Sequence, residues 1–189
     1  MLLLKRIHGT SVLAILAFAT VAATPHDITT DATPLQTLYM VKQLFPQTKT
    51  VGLMWQQTDV NSSDLIPKIN RAASAVGVEV VIEDVEKLRE VPEQFRDLTQ
   101  KYHVQVLWIF NSQDMLAGSI AESYLIKNST MNGVALFAPS ADWVSAGACA
   151  TVLSNGTDAN LVVNQKTINA LGVKVPAKYV PITQFLATN

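Results

Sequence analysis

The sequence predicts an α/β domain, a single three-layer Rossmann-like or flavodoxin-like sandwich built on a mostly parallel sheet. The short, continuously apolar run Val51–Trp55 and the strongly apolar Val104–Phe110 suit strands covered on both faces, as parallel sheets require. Segments with apolar residues at helical spacing alternate with those runs through short loops, the pattern of right-handed strand–helix–strand crossovers with helices on both faces. With 189 residues, 49% of them hydrophobic and 15% charged, the chain suits one well-buried core, too small for two full-sized domains and too apolar for a disordered segment.

In chain order, Thr33-Pro34-Leu35-Gln36 combines a Thr N-cap, Pro at the first helical position and Gln at the third, a capping box. Leu38, Val41 and Phe45 then repeat at helical spacing, predicting a helix over 34–44 stopped by Pro46. A strand over 51–55 follows. Leu65, Ile66, Ile69, Ala72, Ala73 and Val76 mark one helical face, with Gly77 where a C-terminal glycine belongs. Further strands are expected over 78–82, 104–110, 134–138 and 148–153, and helices over 92–101 (with Phe95 and Leu98 inward), 115–127, 141–146 and 158–171, the last ended by Gly172.

At the N-terminus, Lys5, Arg6 and His8 precede an apolar run from Ser11 to Ala23 and then a polar stretch, the order of a secretory signal. A run of about 13 residues is shorter than the roughly 20 needed to span a bilayer. Small residues at Val21 and Ala23 set the expected cleavage near Ala23, with a retained anchor as the competing reading. Residues 1–23 are therefore assigned to a signal peptide, 24–33 to a disordered tail and 34–189 to the folded domain.

Cleavage removes Lys5 and Arg6 but no acid, moving the formal charge from −1 to −3, with 12 basic side chains left against 15 acidic ones. Such a chain has no general attraction for nucleic acid. Cys149, the sole cysteine, excludes an internal disulfide. Sequons at Asn61, Asn128 and Asn155 matter only in a eukaryotic secretory pathway.

Open parallel sheets bind ligands at the loops leaving the carboxyl ends of their strands. The loop after the first strand, Gln56–Asp64, contains Asn61, Ser62 and Ser63. Pro67 fits best at the third helical position, which makes Asp64 the N-cap and leaves Ser62 and Ser63 beside a helix N-terminus that favours carboxylate or phosphate. The same side chains also suit a loop with no ligand. After the third strand, Asn111-Ser112-Gln113-Asp114 ends in an acid that could pair with a ligand amine or cap the next helix. After the fourth, Ser140 reads as a cap. Trp55 and Trp108 read as core, whereas Trp143, at a helix start, is the tryptophan placed to touch a ligand.

Catalysis, metal and cofactor have no evident carriers. Outside the signal, histidine occurs only at His26 and at His103, which precedes the third strand and so falls at the opposite sheet edge. Neither is placed for a nucleophile–base pair. No CxxC, HExxH, GxGxxG or Walker-type loop occurs.

Four stretches resemble the ABC-transporter substrate-binding proteins, whose better-understood members bind amino acids, aromatic ones included. Phe45-Pro46-Gln47-Thr48-Lys49-Thr50-Val51-Gly52-Leu53-Met54-Trp55 is similar to the start of that family's second lobe. Asn111–Asp114 sits where the family has a polar run ending in Asp. Phe137-Ala138 and Val144-Ser145-Ala146-Gly147-Ala148 resemble its fourth strand and Gly-Ala turn. Val163–Pro176, with Asn164-Gln165-Lys166-Thr167 and Ala170-Leu171-Gly172, resembles its closing segment.

The resemblance covers about Leu35 to Pro181 and implies one lobe of a type I periplasmic binding protein, with periplasmic location. It also implies that Ser62, Ser63 and Asp114 match positions that contact an amino acid's carboxylate and amine. The chain departs from the pattern by beginning at the second lobe, with little room between Leu153 and Val163 for the segment that returns to the first.

Two functions are expected on this basis. One is a non-catalytic solute-binding component, partnered by an ABC permease and covering its ligand by pairing with a second copy or another subunit. The alternative is a lobe repurposed as a regulatory or interaction module for a membrane sensor or receptor.

Overall fold

The computed structural model describes residues 32–56, 58, 61–110, 116, 120–155 and 158–187. The assigned signal and nearly all of the tail lie outside them, as do Asn111–Asp114. The first helix, α1 (Pro34–Leu44), begins as its cap chemistry dictates: the Gln36 amide donates to Thr33 Oγ1 at 3.2 Å, and the Thr33 amide donates to Gln36 Oε1 at 2.8 Å.

Strand β1 (Thr50–Gln56) is buried along its middle. Val51, Leu53 and Trp55 face α1 and α2 (Ser62–Val76), while Met54 faces the opposite layer. Gly52 lies on that opposite face with no room for more: a Cβ there would stand 3.1 Å from Leu98 Cδ2 and 3.2 Å from Val104 Cγ1.

The chain continues through β2 (Glu79–Val85), a 3₁₀ turn at Leu88–Glu90, α3 (Val91–Arg96), a π turn at Asp97–Lys101, β3 (Val106–Ile109), α4 (Ile120–Met131), β4 (Ala135–Phe137), α5 (Ala141–Ala146) and β5 (Ala150–Asn155). The expected helix over 92–101 is thus two consecutive segments of different pitch, α3 and the π turn, with Phe95 and Leu98 buried as expected.

The seven-stranded sheet has the order β2-β1-β3-β4-β5-β6-β7, and every neighbouring pair is parallel except β5 with β6. That exception corrects the sequence reading. Residues 158–171, expected as one helix, are strand β6 (Asp158–Asn164) followed by the short helix α6 (Gln165–Ala170).

Strand β6 runs antiparallel to β5, with Asp158 paired to Asn155 and Val163 to Ala150, and the alternation of Leu161 and Val163 with Val162 distributes them to opposite faces. Asn164 then ends the strand by capping α6, its Oδ1 accepting from the Thr167 amide at 3.0 Å.

A C-terminal segment absent from the expectations completes the sheet: a 3₁₀ turn at Ala177–Ile182 leads into β7 (Thr183–Leu186), parallel to β6. It is tied to α1 by Tyr179 Oη, which donates to Tyr39 Oη at 2.9 Å, and by Lys178 Nζ, which donates to Gln43 Oε1 at 3.0 Å.

Candidate rim site for a small solute

Strands β1, β3, β4 and β5 run in one direction, so their carboxyl ends form one rim. Both α1 and α2 run back from it, because each precedes or follows a strand through a short loop. The strand order reverses between β1 and β3, the position where open sheets present a crevice. Beside it, at the carboxyl ends of β3 and β4 and the start of β5, lies a cleft of about 250 Å³.

Trp108, Phe110 and Phe137 supply aromatic walls, Thr37 and Thr151 supply hydroxyls, and Ala32 and Pro139 stand at its margin. The rings are fixed edge-to-face: Phe110 lies 5.4 Å from Trp108 and 6.3 Å from Trp55, centroid to centroid. Trp55 is itself held by its indole N–H, which donates to Asp84 Oδ1 on the neighbouring strand. Asp84 is exposed at the sheet edge, but the oxygen turned toward the indole is partly stripped of water. That desolvation, followed by the charge of Glu86, raises its pKa.

The first turn of α2 carries Ser62 and Ser63 at this rim, both exposed. Their placement follows a cap different from the expected one. Asn61, not Asp64, is the N-cap residue, because the Asn61 side-chain amide donates to Asp64 Oδ2 at 2.9 Å and the Asp64 and Leu65 amides both donate to the Asn61 carbonyl.

Pro67 therefore falls inside the helix, where its missing N–H leaves the Ser63 carbonyl to water, at little cost in so exposed a place. The Ser63 hydroxyl donates to Asn61 Oδ1 at 2.8 Å, and no side-chain bond caps the helix. The amides of Asp64 and Leu65 are thus taken by the Asn61 carbonyl, and no side chain caps those of Ser62 and Ser63. At α1, by contrast, the capping box already occupies the first turn.

Asp114, the third expected contact, lies outside the described residues, so the three are not placed together. Ser140 is the N-cap residue of α5 but makes no side-chain cap bond. Trp143 does not reach the rim: it is 3% exposed and packs in the core with Leu136 and Ala148, because the inward face of α5 must cover the sheet. Thr37, Phe110 and Thr151 were missed as candidates, and nothing local in the sequence marks the two threonines.

His103 sits before β3 at the far edge, in the left-handed region at φ 51°. Cys149 is buried, and burial pushes its thiol up to about 12. Among the described residues no three His, Cys, Asp or Glu side chains gather as a metal site, and no helix is long and apolar enough to cross a membrane.

Residues 26–163 match the family model described as ABC transporter substrate binding protein. The chain belongs to the ABC transporter substrate-binding protein family.

Three solved structures are similar. An ABC domain in complex with L-Trp from Streptococcus pneumonia is 16% identical, with a TM-score of 0.70 over 81% of this chain and 60% of that one. A substrate-binding protein with adhesive properties from Clostridium difficile, in its ligand-free open form, is 21% identical, with a TM-score of 0.65 over 81% and 59%. A conserved domain protein from Vibrio cholerae is 16% identical, with a TM-score of 0.68 over 84% and 61%. At these identities the likeness shows the fold, and the chain spans about 60% of those proteins' lengths. No curated protein matches the sequence.

Proposed function

We propose that the chain is the periplasmic solute-binding component of an ABC-type uptake system, holding a small solute such as an amino acid at the carboxyl rim without converting it. The observation that carries this reading is the aromatic-walled cleft of about 250 Å³ where β3 and β4 end and β5 begins, on the same side of the sheet as an N-terminus with no side-chain cap. Apolar walls with a few convergent polar groups are what small-molecule sites present.

In this reading Phe110 and Trp108 hold the apolar body of the solute. Ser62 and Ser63, with the α2 amides, take a carboxylate, and Asp114 takes an ammonium group. L-Trp, bound by the pneumococcal neighbour, is a natural first probe.

The test is a thermal-shift panel of amino acids and small organic acids on the mature chain, followed by calorimetry. A solute at about a hundred times its dissociation constant adds roughly 2.7 kcal/mol of stability. A folded protein that shifts with nothing in a broad panel sinks the proposal.

A second reading, an interaction module for a membrane sensor or receptor, draws on Ile120 and Met131 at the two ends of α4, which stand 78% and 72% exposed. A protein with no solute shift whose binding to a purified sensor is lost in Ile120→Ser with Met131→Ser would select it.

A further inference from the structure

We propose, resting on the reading of the rim cleft as the solute site, that Thr37 and the indole N–H of Trp108 set its specificity, selecting a solute whose ring carries one neutral oxygen. Both residues line the cleft, Thr37 from α1 and Trp108 from β3 with its side chain in the α1 layer. Thr37 is 5% exposed and Trp108 4%, so the little surface that each retains is cleft wall.

Each carries a polar hydrogen that the fold leaves unmatched. The indole N–H of Trp55 donates to Asp84 Oδ1, whereas that of Trp108 has no hydrogen-bond partner among the described residues. Hydroxyls on helical turns commonly bond back to the backbone. In this chain Thr99, Thr130 and Ser145 do so, donating to the carbonyls of Phe95, Ile126 and Ala141 at 2.8, 3.0 and 3.1 Å. Thr37, inside α1, makes no such bond and has no other partner among the described residues. Neither donor is sealed from solvent, so both open on the cleft.

Nearly every polar group this deep in a protein is paired, and Val or Phe would line the same walls without an unmatched hydrogen. Water serves both donors while no solute is bound. A solute that displaces it has to return an acceptor, and an analogue without one forfeits those bonds.

The donors name the group. An indole N–H only donates, whereas a hydroxyl donates or accepts, so the solute must supply an acceptor such as a hydroxyl or carbonyl oxygen. Among the described residues no charged side chain lines the cleft, so that oxygen is neutral, because a carboxylate there would lack a counter-charge. A cavity of about 150 Å³ holds a bare benzene ring, and about 250 Å³ leaves room for one substituent. A phenol engages both donors, an indole N–H engages Thr37 alone, and an unsubstituted phenyl ring engages neither.

Calorimetric titration of the chain with L-tyrosine and L-phenylalanine, which differ by one oxygen, tests the proposal. Tyrosine is expected to bind at least about tenfold tighter. Thr37→Val, which keeps the wall but not the hydroxyl, should cut that advantage about fivefold and leave phenylalanine unchanged. Thr37→Ser, which restores a hydroxyl, should recover most of it. Trp108→Phe should also cut the advantage, and the two Thr37 variants decide should the buried ring tolerate no change. Equal affinity of the wild-type chain for the two solutes, or a tyrosine advantage undiminished in Thr37→Val, overturns the proposal and leaves the rim site standing. Binding of neither solute overturns it too, and if nothing in the wider panel binds, the rim site falls with it.

Discussion

The side-chain amide of Asn164 donates to the carbonyl oxygen of Val144 across 2.8 Å, in a position with no solvent exposure. The same side chain caps α6 through Oδ1, while Thr167 Oγ1 donates to the Gly147 carbonyl at 2.9 Å. One short helix therefore starts where another stops, and both are pinned to the end of β6.

Asn164→Ala removes a cap, worth about 1 kcal/mol, and strips the Val144 carbonyl of a donor in a buried site, worth about 1–3 kcal/mol. The expected loss is roughly 2–4 kcal/mol in urea unfolding. Asn164→Asp separates the two roles. It retains a good capping oxygen but sets a carboxylate against the Val144 carbonyl, so it fails to restore stability. Recovery to the wild-type midpoint by Asp would show that capping alone accounts for Asn164.

The partial burial of Asp84 leads to a pH dependence. Asp84 has its pKa raised by desolvation first and Glu86 second, and Glu83 is raised by desolvation first and Asp97 second. A raised carboxyl binds protons more readily in the folded chain than in the unfolded one. Its contribution to stability is fully present below the ordinary carboxylate pKa and is lost as pH rises through the raised value.

Asp84→Asn keeps an oxygen for the Trp55 indole and removes the titration. Relative to wild type, the variant is expected to gain stability as pH rises from below about 4 to 7. Denaturant midpoints of both proteins across that range check it, and parallel profiles would remove Asp84 as a cause.

Close packing beneath β1 gives a third test. Gly52→Ala places a methyl group 3.1 Å from Leu98 Cδ2, an overpacking expected to cost about 1–3 kcal/mol. If crowding is the reason, Leu98→Ala should cost less in the Gly52→Ala background than in wild type, because the new methyl occupies part of the vacated space. Additive losses would point instead to a backbone requirement at Gly52.

What the sequence made legible follows the range of the interactions involved. Thr33, Pro34 and Gln36 specify the start of α1 within four residues. The continuous apolar run of β1 requires cover on both faces wherever the chain goes.

Competing local preferences produced the errors. Pro67 argued for a helix starting at Asp64, but the Asn61–Asp64 pairing starts it earlier. The apolar run through Leu161-Val162-Val163 suits a helix by its spacing, whereas its β-branched pair and the Asn155-Gly156 step are hairpin signals. The cleft was not legible at all. It exists because α1 crosses β3, β4 and β5, bringing Thr37 to Thr151 across more than half the chain, and no local spacing encodes that packing.

Phe110 offers the most discriminating test of the rim. It stands between Trp55 and Trp108, contacts both edge-to-face and lines the cleft while remaining half-buried. Truncation there should perturb binding more than folding. An aromatic contact of this kind is worth roughly 0.5–1.5 kcal/mol beyond its area, so Phe110→Ala should weaken an aromatic solute about tenfold once lost burial is added. Phe110→Leu, which keeps apolar volume but not the ring, should weaken an aromatic solute and spare an aliphatic one. Calorimetric titration of both variants with an aromatic and an aliphatic amino acid separates these outcomes. Equal losses for the two solutes would show that Phe110 shapes the cleft without contacting its occupant, and no loss for either would place the solute elsewhere.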